Sequence, residues 1–324
     1  MNVPTAVAAS GRDRKVRERV DGVLLLDKPS GASSNGVLQH ARRLFNAAKA
    51  GHTGTLDPLA SGLLPVCFGE ATKFSQALLE SRKEYVATLL FGVSTTTGDA
   101  EGDEVSRAPV AFSTEDLERC VQAMRGTSQQ VPPRYAALKY RGRNYYEYAR
   151  SGIEIPRPSR EIHLDTFEVV EHRGERAVVR IGCSKGTYVR TLAEDLAARL
   201  GTLAHLVGLR RVSAGAFTVA EAWTIDALEA TAPAERRSLL LPVEAALGEL
   251  PVVRLGAVEA RDLIHGKSVT CTETLVGRLR AYDAEDKFLG VVAAQAGRVV
   301  AVRLVDPSRA PARGAARAPF SVES

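Results

Sequence analysis

Gly51-His52-Thr53-Gly54-Thr55-Leu56-Asp57-Pro58-Leu59-Ala60-Ser61-Gly62 follows neither the 3.6-residue repeat of a helix nor the alternation of a strand. Gly51, Gly54 and Gly62 supply backbone freedom, while Pro58 fixes its own φ and pushes Asp57 toward an extended conformation. Apolar Leu56 and Leu59 tie the flanks to a core. The stretch reads as a rigid loop carrying one acid. Asp before Pro is also a common turn former, so the loop alone fits either a carboxylate that does chemistry or one that caps a turn.

Working backward, Gly22 to Asp27 (GVLLLD) reads as a buried strand, Lys28-Pro29-Ser30-Gly31 as a turn, and Ser33 or Ser34 as a helix cap. That helix carries Val37, Leu38, Ala41, Leu44, Phe45 and Ala48 on one stripe and delivers Ala50 into the loop. Working forward, a short strand from Leu63 to Phe68 precedes a helix from Glu70 to Arg82 and a strand from Glu84 to Phe91. Val93 to Asp103 reads as a polar loop, and Ser113 with Asp116 as a capping box. Strands at Glu161 to Glu171 and Arg176 to Cys183 lead to a helix from Thr187 to Leu200, with Tyr188 and Arg190 near its first turn. Gly208 begins a further strand.

Residues 131 to 161 differ from their surroundings. Arg134, Lys139, Arg141, Arg143, Arg150, Arg157 and Arg160 are interleaved there with Tyr135, Tyr140, Tyr145, Tyr146 and Tyr148. Phosphates and bases would both find partners on such a surface, although an exposed hairpin whose tyrosines pack on the domain has the same composition. Beyond Pro251, a short helix (Val258 to His265) and three strands (Leu279 to Tyr282, Phe288 to Ala293, Val299 to Leu304) read as a small β-rich unit. The expected division is a basic tail at 1–19, a main domain at 20–250 containing the arm at 131–161, a second domain at 251–308, and a disordered Ala/Pro/Arg tail at 309–324.

The chain has 324 residues, 45% of them hydrophobic, enough for a full core and a second small one. Lys and Arg number 43 against 38 Asp and Glu, giving +5, and the pI is near 9.1. That balance leans toward a polyanionic partner. Cys67, Cys120, Cys183 and Cys271 contain no Cys-x-x-Cys pair, and the six histidines show no ligand spacing, so four buried reduced thiols and no metal are expected. No apolar run is long enough to span a membrane and the first ten residues lack a secretory pattern, which points to the cytoplasm.

Two motifs act as decoys. Gly182-Cys183-Ser184-Lys185-Gly186 matches the Gly-x-Ser-x-Gly nucleophile elbow, but two successive strands precede it where a hydrolase needs alternating strands and helices. Gly266-Lys267-Ser268 is no phosphate loop, because Arg261 stands where the first glycine belongs.

What remains is one acid in a rigid loop, a tyrosine opening a strand, an arginine at a helix start and a basic, aromatic arm. Asp27-Lys28-Pro29, Gly51 to Gly62, Lys83-Glu84-Tyr85, Tyr135 to Tyr140, Cys183 to Thr191 and Leu209-Arg210-Arg211 together resemble, in order, the motifs of the bacterial tRNA pseudouridine-55 synthase (TruB) family. The resemblance runs from about Gly22 to Val212 and continues more weakly over the C-terminal unit. It implies an α+β pseudouridine synthase fold with a mixed, largely antiparallel sheet and a PUA-like C-terminal domain that binds RNA. It also implies that a uridine of the tRNA T stem-loop is flipped out and isomerised, with Asp57 as the essential carboxylate.

On the same resemblance Tyr85 stacks on the flipped uracil, Arg190 pairs with Asp57, His52 inserts where the base has left, and Leu209 lines the uracil pocket. Lys28, Lys139 and Tyr188 support the pocket or the RNA. One departure stands out: Thr96 occupies a place where the family often has an acid. Reactant and product are isomers, so neither a redox agent nor ATP is needed, and no cofactor and no obligate protein partner are expected of a monomer. A fixed carboxylate can attack C1′ or remove the 2′ proton of the sugar, and an adjacent guanidinium favours its ionised form. A non-catalytic tRNA-binding or folding protein on the same scaffold is the alternative, and a guide-dependent synthase within a ribonucleoprotein is a third reading.

Overall fold

The apolar run Val23–Leu26 lies in strand β1 (Gly22–Lys28), and Ser33 opens α1 (Ser34–Leu44) by accepting the Gly36 N–H at 3.0 Å. These coordinates come from a computed structural model that describes residues 16–306 apart from 249 and 272–274. Residues 1–15 of the tail expected at 1–19, and all of the tail expected at 309–324, lie outside the described residues.

Strands β2 (Ala50–His52) and β3 (Ser61–Phe68) flank the glycine loop. After them come α2 (Ser75–Glu80), β4 (Lys83–Phe91), the short pair β5 (Val93–Thr95) and β6 (Glu104–Arg107), α3 (Thr114–Ala123) and β7 (Gly126–Gln130). The arm holds a hairpin of β8 (Lys139–Tyr140) and β9 (Arg143–Asn144), then α4 (Tyr145–Arg150). The chain returns through β10 (Arg160–Arg173), β11 (Arg176–Cys183), α5 (Val189–Arg199), β12 (Ala204–Ala214), β13 (Phe217–Thr218) and α6 (Ile225–Ala230).

Among the described residues nine of these strands form one sheet in the order β1-β3-β12-β4-β11-β10-β7, with β2 beside β3 and β13 beside β12. Every pairing in it is antiparallel except β3 with β12, so the sheet is mixed and largely antiparallel. Helices α3 and α5 cover one face. Leu117, Val121, Leu192 and Leu196 are buried there against Ala87, Leu89, Val179 and Ile181. Each fully buried side chain of this kind contributes about 1.5–3 kcal/mol, so α5 is held on the sheet by its whole apolar stripe. Its first turn is thereby a fixed platform.

A second sheet follows, formed by β14 (Val252–Arg254), β15 (Val269–Thr270), β16 (Gly277–Tyr282), β17 (Phe288–Gln295) and β18 (Arg298–Leu304), with α7 (Ala257–Ile264) packed on it. This C-terminal part is β-rich. Phe288, Val291 and Val305 share a core with Phe74, Leu78 and Val243 of the first part, and the Phe74 and Phe288 rings meet edge-on at 5.6 Å.

Four local expectations change. The helix expected over 70–82 is a 3₁₀ turn (Gly69–Lys73) followed by α2, because Gly69 sits at φ +51° with Val20 and Asp21 pressed against it, and Asp21 Oδ1 takes the Glu70 N–H. Val93–Thr95, expected within a loop, pairs with Glu104–Arg107. Residues 16–19, expected in the tail, run beside Asn46–Ala48: Glu18 N–H donates to Asn46 O and its carbonyl accepts from Ala48 N. Of the four thiols only Cys67 and Cys183 are buried, whereas Cys120 and Cys271 are half-buried.

Candidate active site

The glycine loop is rigid because its backbone is bonded from three directions. Ser34 Oγ both donates to Leu56 O and accepts Leu56 N, each at 2.8 Å. Gly31 N–H and Ser30 Oγ donate to Pro58 O and Leu59 O, at 2.8 and 2.9 Å. From β12, Arg211 donates through Nη2 to Gly54 O at 3.0 Å and through Nε to Leu63 O at 2.6 Å. Gly54 and Gly62 hold φ of +92° and +100°, and a Cβ on Gly62 would lie 2.3 Å from Arg211 O. Only glycine lets β3 and β12 approach so closely.

Lys28 is expected among the substrate-binding residues, but its side chain is wholly enclosed. Its ammonium donates to Ala32 O at 2.6 Å, Pro29 O at 2.9 Å and Pro58 O at 3.3 Å, so it acts on the loop from beneath. Burial lowers its pKa, opposed by the nearby charges of Glu101 and Asp57.

This scaffold leaves the Asp57 side chain 42% exposed while Arg190, on the first turn of α5, is only 7% exposed. Arg190 Nη2 lies 3.0 Å from Asp57 Oδ2. The same guanidinium donates to Tyr135 O at 2.7 Å and Thr97 O at 2.9 Å, and its Nε is 3.7 Å from Asp99 Oδ2. It does not pair with Glu194 one turn on. Such a fork presents one fixed positive charge to the exposed carboxylate, which a flexible ammonium would do less well.

Tyr85 and Leu209 pack on the same apolar cluster beneath α5. In register Tyr85 stands opposite Ile181 and Arg211, and Ala87 opposite Leu209, so the ring and the leucine share one face of the sheet. Burial pushes the Tyr85 phenol up, with Arg211 opposing, and pushes Tyr188 up with Arg160 and Arg190 opposing. Asp57's charge raises both, as it does Lys28, so these groups surround one carboxylate. Both phenols stay protonated at neutral pH.

His52 closes β2, its Nδ1 buried without a hydrogen-bond partner among the described residues. Burial, then Arg211, lowers its pKa and keeps the ring neutral. Lys139 is exposed on the arm hairpin, outside this constellation. The arm's tyrosines are partly covered by its own arginines, with Arg141 over Tyr140, Arg143 over Tyr148 and Arg150 over Tyr146 at 5.1–5.5 Å.

Two neighbours escape a reading of the sequence. Asp99, 5% exposed in its side chain, is the acid beside Arg190 in the loop where Thr96 departs from the family pattern. Its only local signal is the turn Thr97-Gly98-Asp99, with Thr97 Oγ1 donating to its Oδ1 at 2.5 Å. Arg211 lies within the Leu209-Arg210-Arg211 motif, yet nothing in a strand's alternation says that it is 1% exposed and bracing the loop. Among the described residues no three His, Cys, Asp or Glu side chains converge as a metal-binding group, and no helix is long and apolar enough to cross a membrane.

Residues 42–189 match the family described as TruB family pseudouridylate synthase (N terminal domain), 190–248 the tRNA pseudouridylate synthase B C-terminal domain, and 251–305 pseudouridine synthase II TruB, C-terminal. A tRNA pseudouridine synthase B from Thiobacillus denitrificans is 48% identical over 292 residues, 90% of this chain and 98% of that protein. One from Azoarcus sp. is 50% identical over 293 residues, covering 90% and 97%. A solved structure titled a Cbf5-Nop10-Gar1 complex superposes with a TM-score of 0.67 at 26% identity, covering 88% of this chain and 84% of that one. The fold is therefore that of a pseudouridine synthase. More narrowly, the chain belongs to the TruB family.

Proposed function

We propose that the protein is a tRNA pseudouridine synthase that isomerises the T-loop uridine at position 55 after flipping it from the stack, with Asp57 as the reacting carboxylate. The observation that carries the reading is the 3.0 Å pairing of half-exposed Asp57 with enclosed Arg190. A carboxylate oxygen is thereby presented outward, beside a fixed guanidinium, from a loop that cannot relax away.

In this reading uracil leaves C1′ through N1 while Asp57 either bonds to C1′ or removes the 2′ proton; the base then rotates, C5 joins C1′, and the C5 proton departs. Protonated Tyr85 offers the extruded ring a face and Leu209 a wall, while neutral His52 fills the gap in the RNA stack. Unstacking a base costs a few kcal/mol, roughly, and these contacts offset part of it. Tyr188 and exposed Lys139 meet the RNA, and Lys28 holds the loop. The arm at 131–161 lies over the bound T stem-loop, and the unit at 251–308 is a PUA-like RNA-binding domain. The chain acts in the cytoplasm as a monomer, with tRNA as substrate and no obligate protein partner.

The test is tritium release from C5 of uracil in a T-arm transcript given to the isolated chain. Release by the wild type without added factors supports the reading. Binding without release favours a carrier of RNA, and release only after partner proteins are added favours a guided complex.

A further inference from the structure

Gln130 is the last residue of β7, immediately before the arm. Its side chain is almost wholly enclosed, and both of its polar atoms end on one residue. Oε1 accepts the Tyr188 N–H at 2.8 Å, and Nε2 donates to Tyr188 O at 3.1 Å. Tyr188 is the N-cap of α5 and has no capping side-chain bond of its own. In the β7–β10 register Gln130 stands opposite Arg160, where the chain returns from the arm. The Arg160 guanidinium lies over the Tyr188 ring, 5.5 Å from its centroid. Both roots of the arm therefore grip Tyr188, two residues ahead of Arg190. Arg190 in turn reaches back to the arm through Tyr135 O.

An apolar residue at 130 would fill the same space without fixing where α5 begins. An amide bonded to both the N–H and the carbonyl of one residue fixes the two peptide groups that flank it, and a buried amide that lost either partner would be costly.

We propose that Gln130 is a positioning residue for the isomerisation: by holding Tyr188 it sets Arg190 against Asp57 and joins that pair to the root of the arm. The inference rests on the role proposed above for Asp57. Gln130 touches no reacting atom, so its effect on the reaction passes through α5.

Two variants test it. Gln130→Met keeps length and loses both bonds, while Gln130→Glu keeps the acceptor for Tyr188 N–H and loses the donor. Gln130→Met is expected to lower kcat for tritium release about 10- to 100-fold while KM for tRNA stays within about threefold. In an Arg190→Lys background the same change adds less than about twofold, since residues acting through one another are not additive. Amide hydrogen exchange of the peptide 186–194 quickens about tenfold or more in Gln130→Met and by less in Gln130→Glu, whatever the turnover. Unchanged kcat, full additivity with Arg190→Lys, or unchanged exchange over 186–194 overturns the proposal. A wild type that releases no tritium overturns the functional reading instead, and with it the catalytic half of this one, while the exchange result still decides whether Gln130 holds the start of α5.

Discussion

Arg190 Nη2 stands 3.0 Å from Asp57 Oδ2, and the same guanidinium bonds the carbonyls of Thr97 and Tyr135. One enclosed side chain thus links the glycine loop, the loop before β6 and the root of the arm. Arg190→Lys keeps the charge but cannot reach these acceptors at once. We expect kcat to fall about 100-fold, a size in line with losing one preorganised electrostatic contact, with tRNA affinity changed little. Single-turnover rates and filter binding measure the two separately, and a lysine variant with wild-type kcat would remove the fork from the account.

Lys28 makes a different prediction. Its ammonium takes up the carbonyls of Pro29 and Ala32, before the loop, and of Pro58 within it. Lys28→Met fills the space and takes the donor from the Pro29 and Ala32 carbonyls, while Pro58 O keeps the Gly31 N–H, at about 1–3 kcal/mol for each carbonyl that water cannot reach. Relief of the buried charge offsets part of this, so a net loss of about 2–4 kcal/mol in urea unfolding is expected, together with slower turnover. Unchanged stability with a large loss of tRNA affinity would instead return Lys28 to the RNA.

The thiols separate by environment. Burial pushes Cys67 up to about 12 and Cys183 to about 11; Cys120 and Cys271 are only half-buried, and burial raises the Cys120 thiol against the opposing charge of Arg199. A thiol of raised pKa has less of its reactive thiolate at any pH below that value, so at pH 8 the fractions for Cys67 and Cys183 are only about one in ten thousand and one in a thousand. Alkylation followed by mass spectrometry should modify Cys120 and Cys271 first, leaving the other two until the chain unfolds. Early labelling of Cys67 would contradict this packing.

The legible parts of the molecule are those whose causes are local. The stripe Val37, Leu38, Ala41 needs only the helical repeat, and Ser33 and Ser113 announce the caps that the structure contains. The loop around Asp57 is legible because its glycines and proline have backbone meaning. What depends on distant chain is not legible. Glu70 sits in a 3₁₀ turn because it meets Asp21 and bonds the Asp306 N–H, contacts 49 and 236 residues away in sequence. Arg211 reads as one more charged strand residue until Gly62 lets β3 close upon it. Asp99 becomes a partner of Arg190 only through the path of the loop from Thr95 to Asp103. Lys28 was legible as important, but its enclosure was not, because three backbone carbonyls leave no trace in side-chain patterns.

The central claim concerns one carboxylate, and Asp57→Asn replaces it with an amide of the same shape. The measurement is tritium release from C5-labelled uracil in a T-arm transcript, with RNA binding followed in parallel on the same preparations. The account predicts release by the wild type without added factors, and none above background from Asp57→Asn, which still binds with a Kd within about threefold because the loop's anchors do not involve that carboxylate. Release at the wild-type rate by Asp57→Asn would contradict it.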